Sequence, residues 1–275
     1  MKKGICSFAF PGHMSFSEIF VQAKEFGFDG VELCLCENGE LNPNVTDDKL
    51  ARIMELAKKA EIELYSVTTS LYWSASLVSD DEAERNLALS YAKKQIDVAK
   101  KLGCESVLIV PGHTGVSFAP DLGVIEYDVA YERAVQSAKV IASYAQDAGI
   151  VAGMENVWNK FLLSPLEMKG FIDEINNPCV KAYFDVGNVL VNGYPEHWIK
   201  ILGSRIDKIH LKDFKLDTNS FCDLLSGDVN YPAVMKALKN TGYNGWLTAE
   251  YVPYSTDNTV MLRHISNAID SIINF

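Results

Sequence analysis

Four ionisable residues stand at or near the ends of four apolar, strand-like runs in the second half of this 275-residue chain. Glu155 closes Val151-Ala152-Gly153-Met154, and Asp185 closes Ala182-Tyr183-Phe184. His210 lies in Lys208-Ile209-His210-Leu211, and Glu250 follows Trp246-Leu247-Thr248-Ala249. An ionised side chain in an apolar strand is costly unless it is paired or bound to a metal. Any one of the four alone is explained as a salt bridge or a strand-end cap. Four at matching positions on consecutive strands need a common cause. Neighbouring strands lie about 4.8 Å apart, so at the mouth of a barrel the four side chains would converge on one point. Three carboxylates and one imidazole suit one divalent ion (Mn²⁺, Mg²⁺, Co²⁺ or Zn²⁺) rather than a thiolate-seeking metal.

The elements that would hold these residues alternate along the chain. The pattern predicts strands at Gly4–Phe10, Gly30–Leu35, Glu63–Thr69, Ser106–Val110, Ile150–Asn156, Lys181–Asp185, Ile206–Lys212 and Trp246–Tyr251. Helical patterns lie between them, from Phe16–Phe26 to Val260–Ile273. Thr46 followed by Asp47-Asp48 supplies a cap and acids where a helix start has free N–H groups. Ser106-Val107-Leu108-Ile109-Val110 is nearly all apolar, as in parallel strands buried on both faces. Repeated strand–helix alternation implies parallel crossovers. Eight such units fit one barrel of about 250 residues. The expected architecture is therefore α/β, a single (β/α)8 TIM barrel over residues 1–275. A doubly wound open sheet is the alternative, and the first strand lacks the G-x-G-x-x-G of its dinucleotide-binding version. Active sites of barrels lie at the C-terminal ends of the strands, where the four residues fall.

Composition narrows the partners. A net charge of −11 lacks the broad positive field that gathers phosphate backbones, so nucleic acid is disfavoured. No apolar stretch approaches the ~20 residues that span a membrane. Met1–Phe10 has no cleavage signature and reads as a strand, which leads to an expectation of a cytoplasmic protein. Most of the six cysteines sit in or beside apolar runs as buried free thiols do, without zinc-finger spacing.

At this point the residues carry a resemblance. Met154-Glu155-Asn156, Phe184-Asp185-Val186-Gly187-Asn188, Ile209-His210-Leu211-Lys212-Asp213 and Leu247-Thr248-Ala249-Glu250 resemble the xylose isomerase-like sugar isomerase/epimerase superfamily. Gly27-Phe28-Asp29-Gly30-Val31-Glu32 is similar to that superfamily's opening of strand two. Ketose 3-epimerases and the L-xylulose 5-phosphate 3-epimerase branch look nearest. The resemblance implies a barrel, a divalent metal held by Glu155, Asp185, His210 and Glu250, an acid/base pair of Glu155 and Glu250, and a dimer or tetramer. Free-ketose 3-epimerases place a substrate-binding His where this chain has Asn188, and an Arg where it has Leu216. The Asp-Val-Gly-Asn and His-Leu-Lys-Asp forms look more like the phosphorylated-pentulose branch, which leans the substrate toward a sugar phosphate.

The expected activity is isomerisation or epimerisation of a ketose or ketose phosphate. One glutamate removes the proton beside a metal-polarised carbonyl, and the other returns one to the opposite face of a metal-stabilised enediolate. Inversion needs groups on two faces, so the pair favours 3-epimerisation over aldose–ketose isomerisation. A metal-dependent dehydratase of the inosose type and a barrel that binds sugar without turnover are the competing readings. Asn188, Lys212, His113 and Asn156 are candidate substrate-binding residues. Lys212 reaches a hydroxyl or phosphate, or makes a strand-end salt bridge; the asparagines bind hydroxyls or cap loops. Trp158 and Glu37 are pocket wall or ordinary surface. Gly227-Asp228-Val229-Asn230 lies where barrels often hold phosphate, although Asp228 argues against an anion there.

Overall fold

The computed structural model describes residues 1–275. Its apolar runs become β1 (Lys2–Cys6), β2 (Gly30–Leu35), β3 (Glu63–Thr69), β4 (Ser106–Ile109), β5 (Val151–Glu155), β6 (Val180–Asp185), β7 (Ile206–Leu211), two short strands β8 (Asp213–Lys215) and β9 (Ser220–Cys222), and β10 (Trp246–Ala249). The helices are α1 (Phe16–Glu25), α2 (Asp47–Lys59), α3 (Glu82–Leu102), α4 (Tyr127–Ala148), α5 (Pro165–Ile175), α6 (Pro195–Leu202), α7 (Tyr231–Thr241) and α8 (Asn258–Ile273). Eight strands close a parallel barrel in the order β1-β10-β7-β6-β5-β4-β3-β2, and β8 and β9 form a separate hairpin. Closure joins the two ends of the chain, with Lys2 opposite Trp246 and Ile5 opposite Ala249. The expected (β/α)8 TIM barrel is the observed fold.

Local chemistry sets the element ends. The Thr46 hydroxyl accepts from Lys49 N and starts α2. Gly103 and Gly149 end α3 and α4 at φ +74° and +73°, a conformation that costs a glycine little. The first strand is shorter than expected, ending at Cys6 rather than Phe10. Ser7 opens a 3-10 turn, and its hydroxyl accepts from Cys34 N at 2.9 Å. The β8–β9 hairpin lies in the polar loop after β7. Three-residue strands around an Asp-Thr-Asn tip give no readable period in sequence.

Barrel register carries the expected site residues to one end. Asp185 pairs with His210, His210 with Thr248, and Glu155 with Tyr183. A Cβ at Gly153 would lie 2.8 Å from the Tyr183 ring. The bare backbone there lets Tyr183 lie in the barrel interior beneath the site.

Candidate active site

The strand ends bring Glu155, Asp185, His210 and Glu250 together, with one ligand atom from each within 4.8 Å of the others. β10 itself stops at Ala249, so Glu250 is the first residue of the following loop. Asp185 and His210 are fully buried, and Glu155 is nearly so. His210 Nδ1 faces Glu250 Oε2 at 3.0 Å and Glu155 Oε1 at 3.6 Å.

Behind the imidazole lies Glu32 of β2, also fully buried. Its Oε1 is 3.0 Å from His210 Nε2, and its Oε2 accepts from the Tyr183 hydroxyl. A carboxylate on the far nitrogen of a ligating histidine fixes ring orientation and tautomer. Sequence reading gave Glu32 no role, although Val31-Glu32-Leu33 is itself a carboxylate inside an apolar strand.

Lys212 lies two residues past His210 and shares its side of the strand. Its Nζ stands 3.1 Å from Asp185 Oδ2 and 2.5 Å from Glu250 Oε2. Gly187 makes room for it, because a Cβ there would meet Lys212 Cβ at 2.7 Å. Asp185 Oδ1 is held by the N–H groups of Gly187 and Asn188 at 2.8 and 2.9 Å. The Asn156 side chain exchanges two hydrogen bonds with the Asp185 backbone. Asn188 donates to Asn156 O at 3.0 Å and also borders the cavity. Asn156 thus orients the strand ends and does not line the cavity. His113 is buried with both ring nitrogens unpartnered, and it too lies outside the lining.

The donor set fits a divalent cation on grounds internal to the chain. Asp185 Oδ2, His210 Nδ1 and Glu250 Oε2 are buried, and none makes a hydrogen bond. The short contacts of Lys212 and His210 to these atoms are ion pairs by distance without hydrogen-bond angles. Three buried, inward-facing donor atoms without a well-directed hydrogen bond are costly, and a cation would satisfy all of them. Ionised, the three carboxylates also outnumber the one ammonium by the charge of a divalent ion.

The two glutamates are driven apart in acidity. Burial, with the nearby Glu250 charge, pushes the Glu155 carboxyl up to about 7 against the pull of His210. Burial also acts upward on Glu250, but Lys212 and His210 outweigh it and hold that carboxyl well below the usual range. Burial opposes charge on His210, yet Glu32 and Glu250 raise it overall.

A cavity of about 410 Å³ opens on this cluster, lined by Glu155 and Glu250 together with Thr68, Trp73, Trp158 and Phe221. A second, of about 560 Å³, shares Lys212, Glu250 and Phe221 with it and continues to Phe8, Asp223 and Tyr254. Phe221 is carried by β9 and stacks on Trp158 at 4.8 Å. Phe221 was not anticipated, because nothing in its polar surroundings marks it.

The barrel and its strand-end cluster define the class: the chain belongs to the xylose isomerase-like TIM barrel family, whose model matches residues 20–269. Among individual proteins it is similar to the L-ribulose-5-phosphate 3-epimerase UlaE of Salmonella heidelberg, 24% identical over 88% of this chain and 84% of that one. Its fold matches a solved L-ribulose 3-epimerase with a TM-score of 0.85 at 16% identity, covering 99% of this chain and 94% of the other. It also matches a D-psicose 3-epimerase solved in the presence of D-fructose, with a TM-score of 0.84 at 18% identity over the full length of both.

Proposed function

We propose that this chain is a divalent-metal-dependent epimerase of a ketose or ketose phosphate, inverting C3 beside the carbonyl. One observation carries the reading. Glu155 and Glu250 come from strand ends separated around the barrel by β6 and β7, yet they line one cavity and join one donor cluster. The similarity to proteins named as 3-epimerases supports it. Glu155, Asp185, His210 and Glu250 would hold the ion, whose chemistry would be to draw electron density from the substrate carbonyl and acidify the adjoining C–H.

The chain's own residues handle the proton. Glu250, kept ionised by Lys212 and His210, accepts it from one face of C3. Glu155, from the strand end on the other side of β6 and β7, delivers one to the other face. The reverse reaction exchanges the roles, and solvent resets the pair. Glu32 keeps the His210 ring aimed at the cluster. Trp158, Phe221 and Trp73 keep water from the carbanionic carbon.

The test is solvent exchange. The protein is incubated in D₂O with ketoses and ketose phosphates, with Mg²⁺ or Co²⁺ and then with chelator, and carbon-bound protons are read by NMR. Metal-dependent deuterium at C3 is expected. Deuterium at C1 would mean a 1,2-isomerase. No exchange with metal bound would sink the proton-transfer reading and move dehydration or binding alone ahead.

A further inference from the structure

Along β2 and just past its end, reactive side chains fall on alternate positions: Glu32, Cys34 and Cys36. Successive side chains of a strand point to opposite faces. The three therefore share the face that brings Glu32 to His210, while Leu33 and Leu35 are fully buried on the other. β2 ends at Leu35, so Cys36 opens the loop that follows. The backbone there is held at three points. Cys34 N donates to the Ser7 hydroxyl at 2.9 Å, the Leu35 carbonyl accepts from the Thr69 hydroxyl at 2.6 Å, and Cys36 N donates to Leu41 O at 3.0 Å. Within that frame two free thiols meet, with their sulfurs 3.3 Å apart. Cys36 Sγ also lies 3.7 Å from Cys34 O, folded back over the strand end. A disulfide needs the sulfurs at about 2.05 Å, and side-chain rotation can close the gap.

The two thiols are unlike in acidity. Contact with Cys34 pulls Cys36 down to about 7 against its burial, whereas contact with Cys36 and burial push Cys34 well up. Cys36 is thus the nucleophile, and Cys34 the protonated partner beside it. Both thiols line a cavity of about 550 Å³, with Ser7, His13 and Glu40 also on its wall. That cavity shares Phe8 with the one on Lys212 and Glu250. Neither the donor cluster nor the proton transfer uses these sulfurs.

We propose that Cys34 and Cys36 are a peroxide-reactive dithiol, which a small hydroperoxide oxidises to an intramolecular disulfide at the barrel mouth and a thiol reductant reopens. The Cys36 thiolate attacks one peroxide oxygen, the O–O bond breaks, and the other oxygen leaves as hydroxide. Cys36 is then a sulfenic acid. The Cys34 sulfur attacks it, the S–O bond breaks, and the departing hydroxide takes the Cys34 proton as water. Two electrons pass from the sulfurs to the peroxide. The ring so closed spans a single intervening residue, so little chain entropy favours it, and the bond belongs to the readily reduced kind. The chemistry needs neither metal nor sugar.

The test treats the whole protein at pH 7 with hydrogen peroxide, blocks the remaining thiols under denaturing conditions and reads tryptic peptides by mass. Cys34 and Cys36 both lie between Lys24 and Lys49 with no other cleavage site, so one peptide carries both. It is expected to become lighter by two hydrogens and to regain them with dithiothreitol. Cys179 and Cys222, also half-buried, serve as references. The pair should oxidise about tenfold faster than either, as a larger thiolate fraction dictates. Oxidation no faster than the references, or a bridge from Cys34 to Cys6, would overturn the assignment. In Cys34→Ser, dimedone should capture a sulfenic acid at Cys36, and in Cys36→Ser the Cys34 thiol should react no faster than the references. The reverse pattern would overturn the division of roles.

Discussion

The two halves of the barrel are built from the same strand–helix unit and end in opposite chemistry. The strands β5, β6, β7 and β10 present Glu155, Asp185, His210 and Glu250 at or just past their C-terminal ends. The strands β1 to β4 end in Cys6, Leu35, Thr69 and Ile109, none of which is ionised at neutral pH. The first half supplies wall, through Thr68, Thr69 and Leu108, and one buried carboxylate, Glu32, which bears on His210 from behind. Charge is concentrated on one arc and its support reaches across from the other. A parallel barrel buries both faces of its strands, so an ionised group survives only where another charge or an ion meets it.

Breaking the charged arc should have the largest effect. His210→Ala removes a donor and uncovers Glu32. It is expected to abolish tight metal binding and to lower turnover by roughly 10³-fold or more, within the range for loss of a positioned acid/base system. Calorimetric metal titration and the exchange rate check this; retained stoichiometric binding would place the ion elsewhere. Metal itself should stabilise the parent protein. At a hundred times its dissociation constant the gain is about 2.7 kcal/mol, seen as a rise of several degrees in the thermal midpoint that His210→Ala loses.

The next effect crosses between the halves. Glu32→Gln keeps shape and removes charge, and is expected to cost about 10- to 100-fold in metal affinity or activity. A purely structural Glu32 would instead lower the thermal midpoint and leave affinity unchanged.

Acidity should sharpen the comparison further. Burial raises Glu155 in the metal-free chain to about 7. Because its folded value lies above its unfolded one, the proton is bound below pH 7 and competes with the ion. Metal affinity should therefore fall as pH drops below about 7, and it should go on rising above 7 because His210, raised despite its burial above the usual imidazole range by Glu32 and Glu250, must also lose its proton to ligate. A profile flat between pH 5 and 8, measured by calorimetry, would show that Glu155 does not ligate.

The smallest effect is expected on the uncharged arc. Cys36 is pulled down to about 7 by its contact with Cys34, whose sulfur lies 3.3 Å away. Iodoacetamide should label it with a midpoint near that pH. Cys36→Ser should leave metal affinity within about twofold, as substitutions away from a site usually do.

The charged arc was legible in sequence because each of its members interrupts or closes an apolar run at a common place. The barrel was legible because strand and helix periods alternate eight times. Glu32 obeys the same rule as the others, but it lies mid-strand, away from the rim where the other four fall. Phe221 and the hairpin under it were invisible, since strands this short carry no period. Asp213 was read as part of a motif, and spacing alone does not reveal that Phe214 N, Gly227 N and Val229 N all donate to its carboxylate. His113 and Asn156 sit at the right end of the barrel, yet the sequence does not say whether a side chain turns to the cavity or to the backbone.

The most direct test of the account is the stereochemical split between its two glutamates. Glu155→Gln and Glu250→Gln would each be supplied with either C3 epimer in D₂O, with metal occupancy verified. The account predicts that neither variant inverts C3, and that each washes deuterium into a different epimer. Both variants exchanging the same epimer, or either one still inverting it, would contradict a mechanism with one glutamate on each face.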